Sequence, residues 1–521
     1  MPVSLASTPS EAASSLWRNG SGKCHTVMAM YAPKPARTRM SNNMMTRFCM
    51  AASTGEFFAP SPDLKQTAFP RAMDPAAGLC YAPAMRNDRP VRFYLETLGC
   101  KVNQYESRAL YEAWTEAGMV RVDAPGQADL AVALTCAVTA RAEAESRKLV
   151  RALARETPAG ARVVATGCAT VVSPQALAAL GAAVVPDKAH LGRHPLGPDS
   201  AAPRPDDVFP DLAVSGYDRA RGLLKVQDGC SHGCSYCIVP AARGPSVSRE
   251  LPDILAEAGR LLAAGRREIG VTGINLGHYG REFTPPQTFW TLVAALDARL
   301  DAEPPGTSRL RLGSLDPDML TDAGLEVLAR CRNVCPHLHI SLQSADPDVL
   351  AAMGRRRGDA DRASSFVDKL SREWPLLAVG CDVLTGFPGE SEAAFARTRE
   401  FLAALPLTYA HVFPYSRRPG TRAASLPGQL PKQEQAARAK ILRELAAAKG
   451  REFLTHLSRA PRLDVALERL DPAVGACGQY VDCRFEAPVA APAGAIVAAR
   501  PVGVDGQVLR VLPLTTEEGA P

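Results

Sequence analysis

The sequence predicts an α/β protein with three parts: an N-terminal parallel α/β domain, a six-unit (β/α) partial barrel, and a small C-terminal β-barrel. Three observations predict it. From about residue 91 to 457, short apolar runs alternate with longer amphipathic stretches, the pattern of parallel strands joined by crossover helices. Small or polar residues close nearly every apolar run, as at the carboxyl ends of strands that carry a site. Beyond 457 the runs shorten and are punctuated by Gly and Pro, as in small antiparallel barrels. The expected organisation is 1–90, an N-terminal extension; 91–200, the first α/β domain; 216–457, the barrel; and 458–521, the small β-barrel.

A length of 521 residues suits two to four domains. With 46% hydrophobic and 22% charged residues the chain reads as an ordinary soluble protein. No run of 18 apolar residues occurs, so no membrane span is expected. A net charge of +6 permits a nucleic-acid partner without requiring one. Fourteen cysteines are too few for a disulfide scaffold of this length. No secretory signal precedes them, so the expected setting is a reducing cytoplasm with thiolates serving as metal ligands.

Residues 1–90 are rich in Ala, Ser, Pro, Met and Arg and show no sustained period. Between Met1 and Gly55, six basic residues face one acidic residue, a balance like that of a transit peptide. An over-long start or a disordered tail is the preferred reading, with Met85 a natural initiator. Cys24, Cys49 and Cys80 are given no role.

In the first domain, Val91–Glu96, Asp129–Leu134 and Arg162–Thr166 read as buried strands, with helices over Asn103–Ala117 and Thr139–Arg155. Each strand runs into a cysteine: Cys100, Cys136 and Cys168. Three strand ends of one parallel sheet converge on one edge, where three thiolates can hold an iron–sulfur cluster and leave one iron without a protein ligand. The alternative is three small buried cysteines.

Leu223–Gln227 is a short strand leading into Cys230, Cys234 and Cys237 at the spacing C-x3-C-x2-C. Three cysteines on one tight loop can each take a corner iron of a [4Fe–4S] cube. The open fourth iron can be chelated by the amino and carboxylate groups of S-adenosylmethionine (SAM). One electron then cleaves a C–S bond to give a 5′-deoxyadenosyl radical, while the protein positions the cofactors and excludes water. A zinc site would want a fourth Cys or His nearby, for which His232 is the candidate.

Strands are expected at Glu268–Thr272, Leu310–Ser314, His337–Leu342, Ala378–Leu384 and Thr408–Phe413. Helices are expected at Leu251–Ala264, Phe289–Leu300, Pro317–Arg330 and Glu392–Ala404. Gly273, Asn275, Ser314, Gln343 and Gly386 lie at successive strand ends and are the candidate nucleoside-binding residues. Each alone is equally well read as turn chemistry. No side chain is assigned as a catalytic acid, base or nucleophile.

The segment Thr97-Leu98-Gly99-Cys100-Lys101-Val102-Asn103-Gln104-Tyr105-Glu106-Ser107 resembles the opening signature of the radical SAM methylthiotransferases, and most closely the branch that modifies threonylcarbamoyladenosine beside the tRNA anticodon. Residues 272–280, 337–344 and 411–421 are similar to the same family. The resemblance runs from about Val91 to Thr421. It implies an auxiliary [4Fe–4S] cluster on Cys100, Cys136 and Cys168 and a radical SAM cluster on Cys230, Cys234 and Cys237. It implies two uses of SAM, one to methylate cluster-bound sulfur and one to activate C2 of the modified adenine. The expected partners are a tRNA anticodon stem-loop, a reductant such as flavodoxin or ferredoxin, and a sulfur donor that the sequence does not identify. Leu134, Ala169 and Ala241 stand where the family commonly has Asn, an aromatic and an aromatic.

Lys432–Leu457 reads as a helix that closes the barrel. The family's usual tail is a small RNA-binding barrel called TRAM. Here 458–521 carries eight acidic and six basic residues, short of the positive footprint of a phosphate binder, so it is read as TRAM-like and degenerate. Arg355–Arg357 and Arg417–Arg418 are expected to make the phosphate contacts instead. Cys331, Cys335, Cys381, Cys477 and Cys483 are read as packing residues. Rival functions are a methylthiotransferase acting on another tRNA adenosine or on a ribosomal-protein aspartate, and a non-catalytic iron–sulfur tRNA-binding protein.

Overall fold

The strand Leu130–Thr135 shows how the first domain is built, because all six of its residues are buried. Its Ala131 and Ala133 face Val150 and Leu153 of the helix Ala140–Glu156, where small side chains let helix and sheet approach closely. Its Leu130, Val132 and Leu134 face Phe93, Leu110 and Trp114 on the other side. A strand covered on both faces belongs in the middle of a parallel sheet. We therefore label, in the computed structural model, β1 (Arg92–Thr97), α1 (Lys101–Glu116), β2 (Val120–Arg121), β3 (Leu130–Thr135), α2 (Ala140–Glu156), β4 (Arg162–Gly167), α3 (Cys168–Val172) and β5 (Ala183–Val184). The sheet order is β2-β1-β3-β4-β5, with every pairing parallel.

The structure describes residues 85–86, 89–197, 208–217 and 220–514, all within one compact unit. Cys24, Cys49, Cys80 and most of the 1–90 extension lie outside the described residues. Within that extension Met85–Arg86 pairs with Arg89–Pro90, and Arg89 makes a two-pronged ion pair with Asp129 (2.6 and 2.8 Å). Described structure therefore starts a few residues before the expected boundary.

The second region holds six strand positions. They are β6 (Arg221–Lys225), β7 (Glu268–Thr272), the pair β8 (Arg309–Arg311) and β9 (Ser314–Leu315), β10 (His337–Gln343), β11 (Ala378–Thr385) and β12 (Leu407–Pro414). They form two parallel sheets, β8-β7-β6 and β9-β10-β11-β12. The single strand expected over Leu310–Ser314 is thus broken at Gly313, where a β-carbon would come 2.7 Å from the Val271 carbonyl oxygen. Among the described residues β6 does not pair with β12, so the barrel is partial. Its helices are α4 (Val239–Arg243), α5 (Leu251–Ala263), α6 (Phe289–Leu300), α7 (Asp322–Arg330), α8 (Asp359–Glu373) and α9 (Glu392–Ala404). The helix expected over Pro317–Arg330 is a 3-10 turn, Pro317–Met319, followed by α7. The long α10 (Lys432–Leu457) packs on β12.

The last region is a closed five-stranded barrel of β13 (Leu463–Leu470), β14 (Ala473–Cys477), β15 (Asp482–Phe485), β16 (Ile496–Asp505) and β17 (Val508–Pro513). Its hairpin 478–480 reaches the amino-terminal ends of the barrel strands. There Arg309 and Arg311 share Glu268 and donate onward to the carbonyls of Asp464, Ala476, Cys477 and Gly478. Buried arginines that end on backbone oxygens make this a docked element rather than a tethered one.

Candidate functional site

Short polar bonds pin the three strand ends of the first domain together. The Asn103 side-chain amide donates to the carbonyls of Leu98 (2.7 Å) and Thr135 (3.1 Å), tying β1 to β3. The Thr135 hydroxyl donates to the Thr166 carbonyl (2.6 Å) and accepts from the Ala169 amide (3.2 Å), tying β3 to β4. Ser146 of α2 accepts from the Cys136 amide and donates to its carbonyl, both at 2.9 Å. Cys100 occupies the N-cap of α1 and Cys168 the first turn of α3. Gly99 stands against Cys136, since a β-carbon on it would lie 3.3 Å from the Cys136 sulfur. Gly167, at φ +94°, brings its Cα so near β3 that a β-carbon would meet the Thr135 oxygen at 2.6 Å. Burial pushes the Cys136 thiol up to about 11, against the pull of the Arg243 charge.

The second set is local. Gly229, at φ +67°, turns the chain under Pro245, whose carbonyl oxygen leaves 1.8 Å for a β-carbon. Cys230 donates its amide to Gly244 (3.0 Å), and its sulfur accepts from the His232 amide (3.4 Å) and the Asn275 side chain (3.7 Å). Ser235 fixes the far side of the loop through the carbonyls of Met353 and Ala352, both at 2.8 Å. Burial pushes the Cys237 thiol up to about 12. His232, the candidate fourth zinc ligand, faces Asp316 at 3.9 Å.

The two sets are neighbours. Helix α3 begins at Cys168 and packs on α4, which begins two residues after Cys237. Ala242 of α4 shares a buried cluster with Cys168 and Ala169. The next residue, Arg243, crosses between the regions. Its guanidinium donates to Glu106 (2.9 and 3.1 Å), Asp228 (3.0 Å) and Asn103 (2.7 Å). Lys225 donates to Glu106 and Asp228, both at 2.8 Å, and Lys188 stands 3.5 Å from Glu106. Burial alone would raise the Glu106 carboxyl, but Arg243, Lys188 and Lys225 outweigh it and hold it at about 2. The sequence motifs contained Asn103, Glu106 and Arg243, but residue spacing alone did not show that they meet.

Among the described residues, the one group of three donors close enough for a single ion is His339, Asp382 and His411, within 4.8 Å of one another. Neither cysteine trio closes that far. Thiolates at about 2.3 Å from one zinc would stand roughly 3.8 Å apart, closer than either trio comes. Three thiols per set is the number that a [4Fe–4S] cube with one open iron would take. In the histidine group, Asp382 is held well below the usual carboxylate range: burial opposes this, but His339 (3.0 Å) and His411 (3.3 Å) outweigh it. Tyr409 links His339 (3.0 Å) to His337 (2.8 Å), so ordinary hydrogen bonds already account for the arrangement.

The strand-end residues divide. Asn275 reaches Cys230 and takes a 2.7 Å backbone bond to the Gln227 side chain, beside Gly273. Ser314 is exposed opposite His339. Gln343 holds φ +70°, a strained value for a non-glycine residue and a mark of functional positions. Gly386 is buried, and a β-carbon there would meet Gln435 at 2.4 Å, so packing against α10 explains that glycine.

The expected phosphate-binding arginines are mostly engaged. Arg355 bonds Asp316 (2.9 Å) and Arg418 bonds Glu143 (2.5 Å), both deeply buried, while Arg356 pairs with Asp318 and Arg357 with Asp348. Arg417 remains exposed. A run of charges does not disclose carboxylates brought in from elsewhere in the chain. Cys335, Cys381, Cys477 and Cys483 are buried, and Cys331 is half-buried.

Comparison with known proteins agrees with this geometry. The family described as Uncharacterized protein family UPF0004 matches residues 92–185, and the Radical SAM superfamily matches 224–402. The threonylcarbamoyladenosine tRNA methylthiotransferase MtaB of Bacillus subtilis (strain 168) is 36% identical over 64% of this chain and 75% of its own length. The protein of that name from Thermotoga maritima is 34% identical over 68% and 81%. A tRNA-2-methylthio-N(6)-dimethylallyladenosine synthase of Syntrophotalea carbinolica is 32% identical over 66% and 80%. No helix among the described residues is long and apolar enough to cross a membrane.

Proposed function

The chain belongs to the radical SAM methylthiotransferases, and from that membership we propose that it adds a methylthio group to C2 of N6-threonylcarbamoyladenosine beside the tRNA anticodon. The observation that carries the reading is the pair of three-cysteine sets, each without a fourth donor, joined through the α3–α4 contact. Cys230, Cys234 and Cys237 would hold the cluster that binds SAM, and Cys100, Cys136 and Cys168 the auxiliary cluster. When bound, these groups supply the electron that cleaves SAM and the sulfur that is transferred.

The chain's own residues do the positioning. Asn275 orients Cys230 and, with Gly273, Ser314 and Gln343, would form the strand-end wall for SAM, while Gly386 packs against α10 instead. Arg243 and Asn103 tie helix α1, which follows Cys100, to helix α4, which follows Cys237, and place positive charge beside the auxiliary thiols. Arg309 and Arg311 hold the C-terminal barrel across the foot of the strands, keeping bulk water from the lumen. The reductant would be a flavodoxin or ferredoxin in the cytoplasm, with a tRNA anticodon stem-loop as substrate.

Anaerobic reconstitution of the Cys230/Cys234/Cys237 triple Ala variant should lose about half of the iron bound by the wild type, because one of two equal clusters is lost. Unchanged iron would refute the assignment. Nucleoside analysis of tRNA from a deletion strain should show loss of the methylthio derivative of threonylcarbamoyladenosine. The Syntrophotalea relative favours a second reading, in which the dimethylallyl derivative is lost instead.

A further inference from the structure

Three cations surround one ring at the foot of the barrel. Tyr480, on the tip of the 478–480 hairpin, has Arg311 at 4.9 Å, Arg221 at 5.5 Å and Lys101 at 5.8 Å from its centroid. Two of them are neutralised: Arg311 bonds Glu268 (2.7 Å), and Arg221 pairs with Glu468. Lys101 is exposed, and no carboxylate among the described residues pairs with it. It directly follows Cys100, so this unpaired ammonium lies one residue from an expected auxiliary-cluster ligand.

Aromatic rings line the wall beyond it. Tyr480 approaches His337 (5.0 Å) and Tyr409 (6.0 Å), Tyr409 approaches His411 (5.3 Å), and His411 approaches Phe413 (6.4 Å). His411 and Phe413 are about half exposed. Unstacked RNA bases are gripped by such rings.

We propose that Lys101 is the specificity-determining residue that receives the carboxylate of the substrate base's N6 side chain. This rests on the threonylcarbamoyladenosine reading above. The threonylcarbamoyl group gives this nucleobase the one negative charge it carries. Lys101 lies over the Tyr480 ring, at one end of the aromatic wall, so a base held by that wall would bring its own anion within reach. The neighbouring carboxylates Glu268 and Glu468 are occupied by Arg309, Arg311 and Arg221, and Asp382 by His339 and His411, so none competes for the ammonium.

The test is a binding cycle on the anaerobically reconstituted enzyme. Anticodon stem-loops carrying threonylcarbamoyladenosine, its methyl ester, or unmodified adenosine are titrated against wild type, Lys101→Met and Lys101→Arg, with cluster iron counted in each. For wild type the ester should bind roughly ten- to a hundredfold more weakly than the acid, the size of one charge-assisted bond. Lys101→Met should bind acid and ester alike, and Lys101→Arg should restore the preference. Two outcomes overturn the proposal while leaving the substrate reading intact: Lys101→Met keeps the preference for acid over ester, or wild type binds acid and ester equally but both better than unmodified adenosine. If wild type prefers neither modified loop to unmodified adenosine, the proposal and the substrate reading fall together.

Discussion

The two cysteine sets, proposed to do the same job, are assembled by different routes. Cys230, Cys234 and Cys237 stand on one loop, close together in sequence, and that loop is pinned from outside by Gly244, Asn275, Ala352 and Met353. Cys100, Cys136 and Cys168 are spread over 69 residues of sequence and meet because a parallel sheet brings three strand ends together. The first set is close already in the chain and only its loop must be braced, whereas the second is brought together by the folded sheet alone. Loss of tertiary structure should therefore empty the auxiliary site first.

The hardest blow to that contrast is Glu106→Gln. The carboxylate is buried among Arg243, Lys225 and Lys188, and removing one side of such a network costs roughly 3–5 kcal/mol. Urea denaturation should show that loss, and iron counting should show the auxiliary cluster depleted while the loop cluster survives. Equal depletion of both would break the comparison.

Two glycines sharpen it at a smaller scale. Gly229→Ala forces a β-carbon onto the Pro245 oxygen, and Gly167→Ala forces one onto the Thr135 oxygen. Each should cost roughly 2–4 kcal/mol through backbone strain and overpacking. In reconstituted protein, Gly229→Ala should lose the SAM-binding cluster's EPR signal and Gly167→Ala the auxiliary one. Loss of both signals in either variant would show that the sites are not separable.

The smallest effect is one of pH. Burial holds His278, which contacts the His232 ring, down at about 4, well below its unfolded value. Protons then favour the unfolded chain. The stability tied to neutral His278 is complete above about pH 6.5 and declines as pH falls toward 4. Thermal melts at pH 7 and pH 5 should differ less in His278→Gln than in wild type, and an unchanged difference would place the acid sensitivity elsewhere.

Much of this was legible in the sequence because the strands are short, apolar and closed by cysteine or glycine. Residue spacing singled out the six cysteines proposed as ligands, and strand periodicity located β1, β3, β4, β7, β10, β11 and β12 to within a residue or two. What escaped was long-range. Helix α8 carries Ala363, Phe366, Val367 and Leu370 at helical spacing, but its many charges hid the stripe. Strand β14 was missed because Gly475 interrupts it, and that glycine is demanded by the Ala466 oxygen, 2.2 Å from where a β-carbon would lie. The Glu106–Arg243 network and the engaged arginines depend on partners up to hundreds of residues away, which local pattern does not encode.

Helix α4 has one more consequence. Because α4, which begins two residues after Cys237, lies against the helix that opens at Cys168, the interval between the two proposed cluster sites would be set by one contact between short helices. The connecting segment near residue 200 can then lengthen, shorten or change composition among relatives without altering how far a sulfur atom must travel.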